Sequence, residues 1–346
     1  MAFSKRILIT SLFISGFSFA SAQEFNDAVS YLSYVGTQYQ EISKDMMSYT
    51  SAASHGKSAR KVEKKRKELL QTVKDAEMNM RKLKPFKGDH ALRDSAISYF
   101  RINGLVLNEE YGKIVDMEEV AEQSYDLMEA YLLAQEKAGD KLDEAHQKVS
   151  EQHKLFAEKN NIKLIESSSK LSEKLRTSNK VIQYHDKVYL IFFKSYKDEI
   201  YLLDALKKSD VSAMEQTKNS LEKNATEGMK QLMKLNPFEG DASLKNACMK
   251  ALEYYKSEAL KTPGLVDYLL KKENFEKTKK AFDAKKQEDR TDEDINQFNK
   301  SVVDFNATVN KYNALNGQLD KGRATILDNW NKSSENFMDN HIPKYR

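Results

Sequence analysis

A seven-residue segment occurs twice in this chain. Leu83-Lys84-Pro85-Phe86-Lys87-Gly88-Asp89 returns 152 residues later as Leu235-Asn236-Pro237-Phe238-Glu239-Gly240-Asp241. Each residue of it has a mechanical task. Proline cannot continue a preceding helix, and it pushes the residue before it out of helical geometry. Gly88 and Gly240 supply a permissive backbone, and Asp89 and Asp241 can cap the helix that follows. Phe86 and Phe238 are placed to plug the end of a core. Upstream, Tyr31-Leu32 and Glu41-Ile42 return as Tyr189-Leu190 and Glu199-Ile200 at an offset of 158, which a longer loop around Thr50 to Lys57 would absorb. Downstream, Phe156 to Ile162 aligns with Val309 to Leu315 at an offset of 153. A tandem duplication follows, with one fold in both copies.

That fold reads as all-α. Four prolines and twelve glycines in 346 residues leave long stretches without a breaker. In the first copy, Phe25, Val29, Leu32, Val35, Tyr39, Ile42, Met46 and Tyr49 form one helical stripe, and Val62, Leu69, Val73, Ala76, Met80 and Leu83 form another. A third segment is expected from Asp89 toward Gly139, weakened at Gly104 and Gly112. Its counterpart should run from Asp241 to about Glu288, interrupted at Thr262-Pro263-Gly264. Fourth helices should start near Asp140 and near Asp292, the latter reaching Phe337 and stopping at His341-Ile342-Pro343. Residues 162–206 contain neither proline nor glycine, so the last helix of copy one is expected to run on into the first of copy two. The architecture expected is two tandem four-helix bundles, elongated, over 23–161 and 162–346. Within the second, Val188 to Phe193 is apolar on all sides, which suits burial between the bundles or else an oligomer contact.

Residues 1–22 read as a secretory signal peptide. Lys5 and Arg6 precede an apolar stretch from Ile7 to Phe19, and Ala20-Ser21-Ala22 offers a small-residue cleavage site. Cleavage after Ala22 leaves Gln23 first, where a lipoprotein would carry an acylated cysteine. The location expected is the periplasm or outer surface of a bacterium. Without Lys5 and Arg6, 54 basic side chains face 52 acidic ones, a balance that calls for no acidic partner, and nucleic acid is excluded as a partner after export. The basic run Arg60 to Lys67 is the one place suited to an anionic membrane surface. Cys248 is the single cysteine. The 152 offset pairs it with Ala96, so a buried structural thiol is expected rather than a reactive one.

Motifs that carry chemistry are missing from the sequence. It has no glycine-rich phosphate loop, no nucleophile elbow, no H-E-x-x-H and no cysteine pair. Six histidines are present. Asp143, His146 and His153 share a helix face, but carboxylate-bridged metal bundles use two Glu-x-x-His motifs. Copy two places Asn299 and Asn306 opposite the two histidines. Glu288 to Asp294 lacks the glycine of a calcium loop and reads as a solvated turn ending in a helix cap. Trp330, Phe337 and Tyr345 read as a terminal core plug, and Asp94-Ser95-Ala96 as an O-glycan acceptor if exposed. No catalytic, cofactor or metal residue and no enzymatic activity is expected.

The export signal, the long helices, the duplicated Pro-Phe-x-Gly-Asp loop and the terminal Asn340-His341-Ile342-Pro343 resemble a family of exported bacterial surface proteins. It is of the Erp-like leptospiral surface lipoprotein type and also occurs in Bacteroidetes-type genomes. The resemblance implies envelope or surface exposure with no assigned reaction. The function expected is a non-enzymatic binding or structural module of the envelope with an unidentified protein partner. The alternatives are a membrane-surface scaffold and a metal- or cofactor-binding bundle.

Overall fold

The computed structural model describes residues 25–55, 57–109, 124–164 and 170–345. The expected signal peptide, its cleavage site and Gln23 lie outside the described residues, as does Gly112. The protein is all-α. Among the described residues the helices are α1 (Ala28–Ser54), α2 (Ala59–Lys82), α3 (Ala91–Glu109), α4 (Tyr125–Lys159), α5 (Lys170–Lys207), α6 (Val211–Lys234), α7 (Ser243–Ala284) and α8 (Asp292–His341), with one 3-10 turn at Gln287–Asp289. No helix among them is long and apolar enough to cross a membrane.

The repeated loops behave as their residues dictate. α2 and α6 stop at Lys82 and Lys234, and Leu83 and Leu235 are already extended. Phe86 bridges to Asp89 and Phe238 to Asp241. Gly88 and Gly240 take φ of 83° and 92°, a region that L side chains avoid. Lys87 and Glu239, just before them, are also left-handed, at φ 49° and 48°. Asp89 Oδ1 accepts from the Ala91 amide at 3.0 Å, and Asp241 Oδ1 accepts from Ser243 at 2.7 Å. From the next helix, Arg93 donates to the Leu83 carbonyl and Lys245 donates to that of Leu235. Both phenylalanines are buried.

Two hydrophobic cores result. Tyr31, Val35, Leu69, Val73, Ala96, Phe100 and Phe156 anchor the first, from α1 to α4. Val188, Phe192, Leu221, Cys248, Tyr255, Leu319 and Trp330 anchor the second, from α5 to α8. The loop phenylalanines close their ends in matching ring clusters: Phe86 with Tyr31 and Phe156, Phe238 with Tyr184 and Phe337. Between the cores, Phe193 of α5 packs on Met128 and Leu132 of α4, flanked by Tyr189 and Tyr196. The apolar segment is therefore buried on both sides, Val188 and Phe192 inward and Phe193 toward the first half. Polar ties also cross: His55 Nδ1 meets Asp339 Oδ1 at 2.6 Å, and the Tyr345 amide donates to Ser51 Oγ at 3.3 Å.

Several expectations are corrected. The third segment is not one helix, since Ser124 is extended and caps a new helix, α4, at Tyr125; residues 110–123 lie outside the described residues. Asp140 lies within α4 instead of starting a helix. α4 does not run on into α5. It ends at Asn160, Asn161 turns left-handed, and Ile162 to Leu164 are not helical. α7 passes through Pro263 without a loop. Thr262 Oγ1 donates to the Glu258 carbonyl at 3.1 Å, and burial of Leu265, Val266 and Leu269 offsets the bond that proline removes. Gly264 serves α8 instead, because a Cβ there would stand 2.8 Å from Leu315 Cδ2. The ring clusters pair Tyr31 with Tyr184 rather than Tyr189, and Phe156 with Phe337 rather than Val309. Trp330 is no terminal plug. It stacks on Phe192 at 4.2 Å within the second core, whereas Phe337 belongs to the ring cluster that closes the end.

Candidate functional site

Outward of Leu269 on α7, and before α8 reaches Tyr312, no residue belongs to the second core. These stretches form a helical arm whose seam is aromatic. On α7, Tyr268, Phe275 and Phe282 are spaced by seven, and so on α8 are Phe298, Phe305 and Tyr312. A seven-residue apolar repeat keeps a seam facing a partner helix. The rings interleave as a ladder. Tyr268 stacks on Tyr312 at 4.0 Å, Phe275 on Phe305 at 4.5 Å, and Phe282 on Phe298 at 4.3 Å. The Arg290 guanidinium caps the ladder 4.3 Å from the Phe282 ring. At the tip, Thr291 and Asp294 form a reciprocal capping box, and Lys285 donates to Asp294 at 2.5 Å. That lysine, with the Thr291 amide and hydroxyl, holds the Asp294 carboxyl down at about 2. The Glu288 to Asp294 cluster is thus a capped turn, as its residues suggest.

Two helices alone can bury only one face of each. The four seam phenylalanines are accordingly half-buried, while Leu270, Ile295 and Val303 stand exposed, Val303 at 67%. The arms also differ in charge. Residues 271–286 carry seven lysines against three acids, and 287–304 carry six acids against two cations. Each sign suits its own helix terminus, since cations favour a helix C-terminus and acids an N-terminus.

A second unusual arrangement sits inside the second core. Arg323 of α8 pairs with Glu258 of α7 and lies 3.0 Å from Glu199 Oε1 of α5. Its Nε and that oxygen are charge-paired but misaligned for a hydrogen bond. All three side chains are buried, and Asp320 completes the set from the surface at 2.6 Å. Burial, reinforced by the neighbouring Glu258 carboxylate and only partly opposed by Arg323, pushes Glu199 up to about 8. Both causes favour the protonated form of Glu199 beside the single guanidinium. Tyr254 donates to the Leu319 carbonyl beside this cluster at 2.7 Å. The cluster is sealed from solvent and ties three helices together. A buried ion cluster of this kind serves to fix helix registry.

The other candidate residues are not brought together. Asp143 and His146 are exposed, with His146 5.8 Å from the Tyr99 ring, and burial lowers His153. Among the described residues, no group of three or more His, Cys, Asp or Glu is placed to hold a metal ion. His341 donates to Asp241 at 2.8 Å, and Lys159 does the same to Asp89, so both repeated caps are latched from the last turn of a helix. Cys248 is fully buried 3.8 Å from the Val188 carbonyl, and burial pushes its thiol far above the usual range. The basic run lines an open groove, but Glu63 pairs with Arg66 and Lys67, and Glu68 with Lys64 and Lys65. Ser95 is half-buried in α3 and donates to the Leu92 carbonyl, and Ala96 is fully buried, which removes the O-glycan reading.

No known protein family, curated protein or solved structure matches this chain. The two arrangements that matter here were both missed by reading the sequence. Their signals were present: rings at intervals of seven, and Glu199, Glu258 and Arg323 each standing on a mostly apolar helical stripe.

Proposed function

We propose that this protein is a non-enzymatic module of the bacterial envelope, exported by residues 1–22, that works by docking another protein chain along the α7–α8 arm. In this reading the body is two copies of one four-helix unit, 23–161 and 162–346, forming an elongated pair. The observation that carries it is the aromatic ladder of the arm, which continues beyond the core with its rings half-buried. Rings placed where they are only half covered stabilise less than rings in a core, and they are well suited to an interface centre. The resemblance to exported surface proteins and the signal-like N-terminus supply the location.

The membrane-scaffold alternative draws on the run Arg60 to Lys67, where two acids already pair with four of the six cations. Exposed pairs of this kind leave a weaker field for anionic lipid. The metal-bundle alternative draws on Asp143, His146 and His153, which do not converge among the described residues.

The test is a photo-crosslinking residue placed at Leu270, Ile295 or Val303 on the arm, and at the exposed Val29, Leu155 or Met233 elsewhere. In exporting bacteria, adducts of discrete mass should form from the arm positions and not from the others, on protein beginning at Gln23. Absence of arm adducts, or the uncleaved chain in the cytoplasm, would sink the reading.

A further inference from the structure

The charge asymmetry of the arm identifies what it docks. We propose that the occupant is the arm of a second copy of this chain, packed against the first about a two-fold axis. The proposal rests on the docking-arm reading above. One arm segment, 271–286, is net basic by four, and the other, 287–304, is net acidic by four. Such a surface is complementary to itself. A two-fold axis sets the lysine helix of each copy against the acidic helix of the other, and both contacts are made at once. Helix-terminus compensation explains the signs within one arm, but it leaves the two faces available to a matching pair.

Several charges are not spent inside the arm's own ion pairs. Lys279, Lys280 and Lys286 on one side, and Glu288, Asp289 and Asp304 on the other, are exposed. The rings supply the apolar centre that charges alone cannot. Phe275, Phe282, Phe298 and Phe305 are each half-buried by the two-helix seam, and a four-helix arrangement would cover their remaining surface. At 1.5 Å per residue the arm offers roughly 25 Å of length and two helix widths, so two copies would bury about 1,000 Å² in all. That lies at the lower edge of specific interfaces. The association should therefore be weak, reversible and sensitive to salt.

Sedimentation equilibrium on the full mature chain tests this with two variants. One carries Lys279→Glu, Lys280→Glu and Lys286→Glu, making both helices acidic. The other carries Glu288→Lys, Asp289→Lys and Asp304→Lys, making both basic. Wild type should dimerise, and more weakly as salt rises. Each variant alone should self-associate about 100-fold more weakly or worse, because like charges now face each other twice. An equimolar mixture should restore a one-to-one dimer, since each reversed helix then meets its opposite. Equal helical content and melting behaviour of the variants by circular dichroism keeps the comparison free of misfolding. A wild type that stays monomeric at low salt, variants that dimerise as wild type does, or a mixture that remains monomeric would overturn the proposal. Monomeric wild type with arm crosslinks to a different protein removes only the second copy. Monomeric wild type without arm crosslinks removes the docking arm as well.

Discussion

Glu199 shows how one residue can be plain in sequence and opaque in role. It sits four residues after Ser195 and three before Leu202, both buried, so an acid on that stripe was visible. Its partners were not, because Glu258 and Arg323 are 59 and 124 residues away in sequence. Only the packing of α5, α7 and α8 joins them. The energetic consequence can be measured. In the unfolded chain Glu199 loses its proton near the ordinary glutamate value of about 4.3. In the fold, burial and Glu258 raise it to about 8, with Arg323, Asp320, Tyr196, Tyr254 and Tyr255 as the other ionisable neighbours. Between those values the folded state holds a proton that the unfolded state has lost. Stability from this group is complete at low pH and declines as pH rises from the ordinary glutamate range toward about 8. Urea titrations at a series of pH values should show that slope, and Glu199→Gln should flatten it. An unchanged slope in the variant would mean that the proton resides elsewhere.

At the scale of elements, the twin loops were fully legible and the arm was not. Pro85, Gly88 and Asp89 act within a few residues of one another, so local rules suffice for them. Pro263-Gly264 obeys no local rule, because tertiary burial of Leu265 and Leu269 and the close approach of Leu315 decide its geometry. Reading that dipeptide as a break hid the continuous helix, and with it the heptad spacing of Tyr268, Phe275 and Phe282. The same geometry predicts that the arm is a separable element. Removing residues 276–282 and 298–304 deletes one heptad from each helix and keeps the seam in phase. Phe275 and Phe305, already stacked at 4.5 Å, would then sit beneath the tip in place of Phe282 and Phe298. The shortened protein should melt cooperatively within a few degrees of wild type, since no member of the second core is lost. A large fall in melting temperature would show that the outer arm supports the core.

At the scale of the whole molecule, two cores meet at a small apolar seam of Met128, Leu132 and Phe193, the His55–Asp339 contact also joins the halves, and the arm extends from the second. The account requires this body to be rigid and the arm to be the surface that finds a partner. Hydrogen exchange at low and high protein concentration addresses that directly. Amides around Phe192, Tyr255 and Trp330 should exchange slowly at both concentrations, because they lie in a closed core. Amides of 271–304 should exchange faster in dilute solution and become protected on concentrating. Concentration-independent exchange in the arm, or new protection at Tyr189 to Tyr196 or along Arg60 to Lys67 instead, would contradict the account.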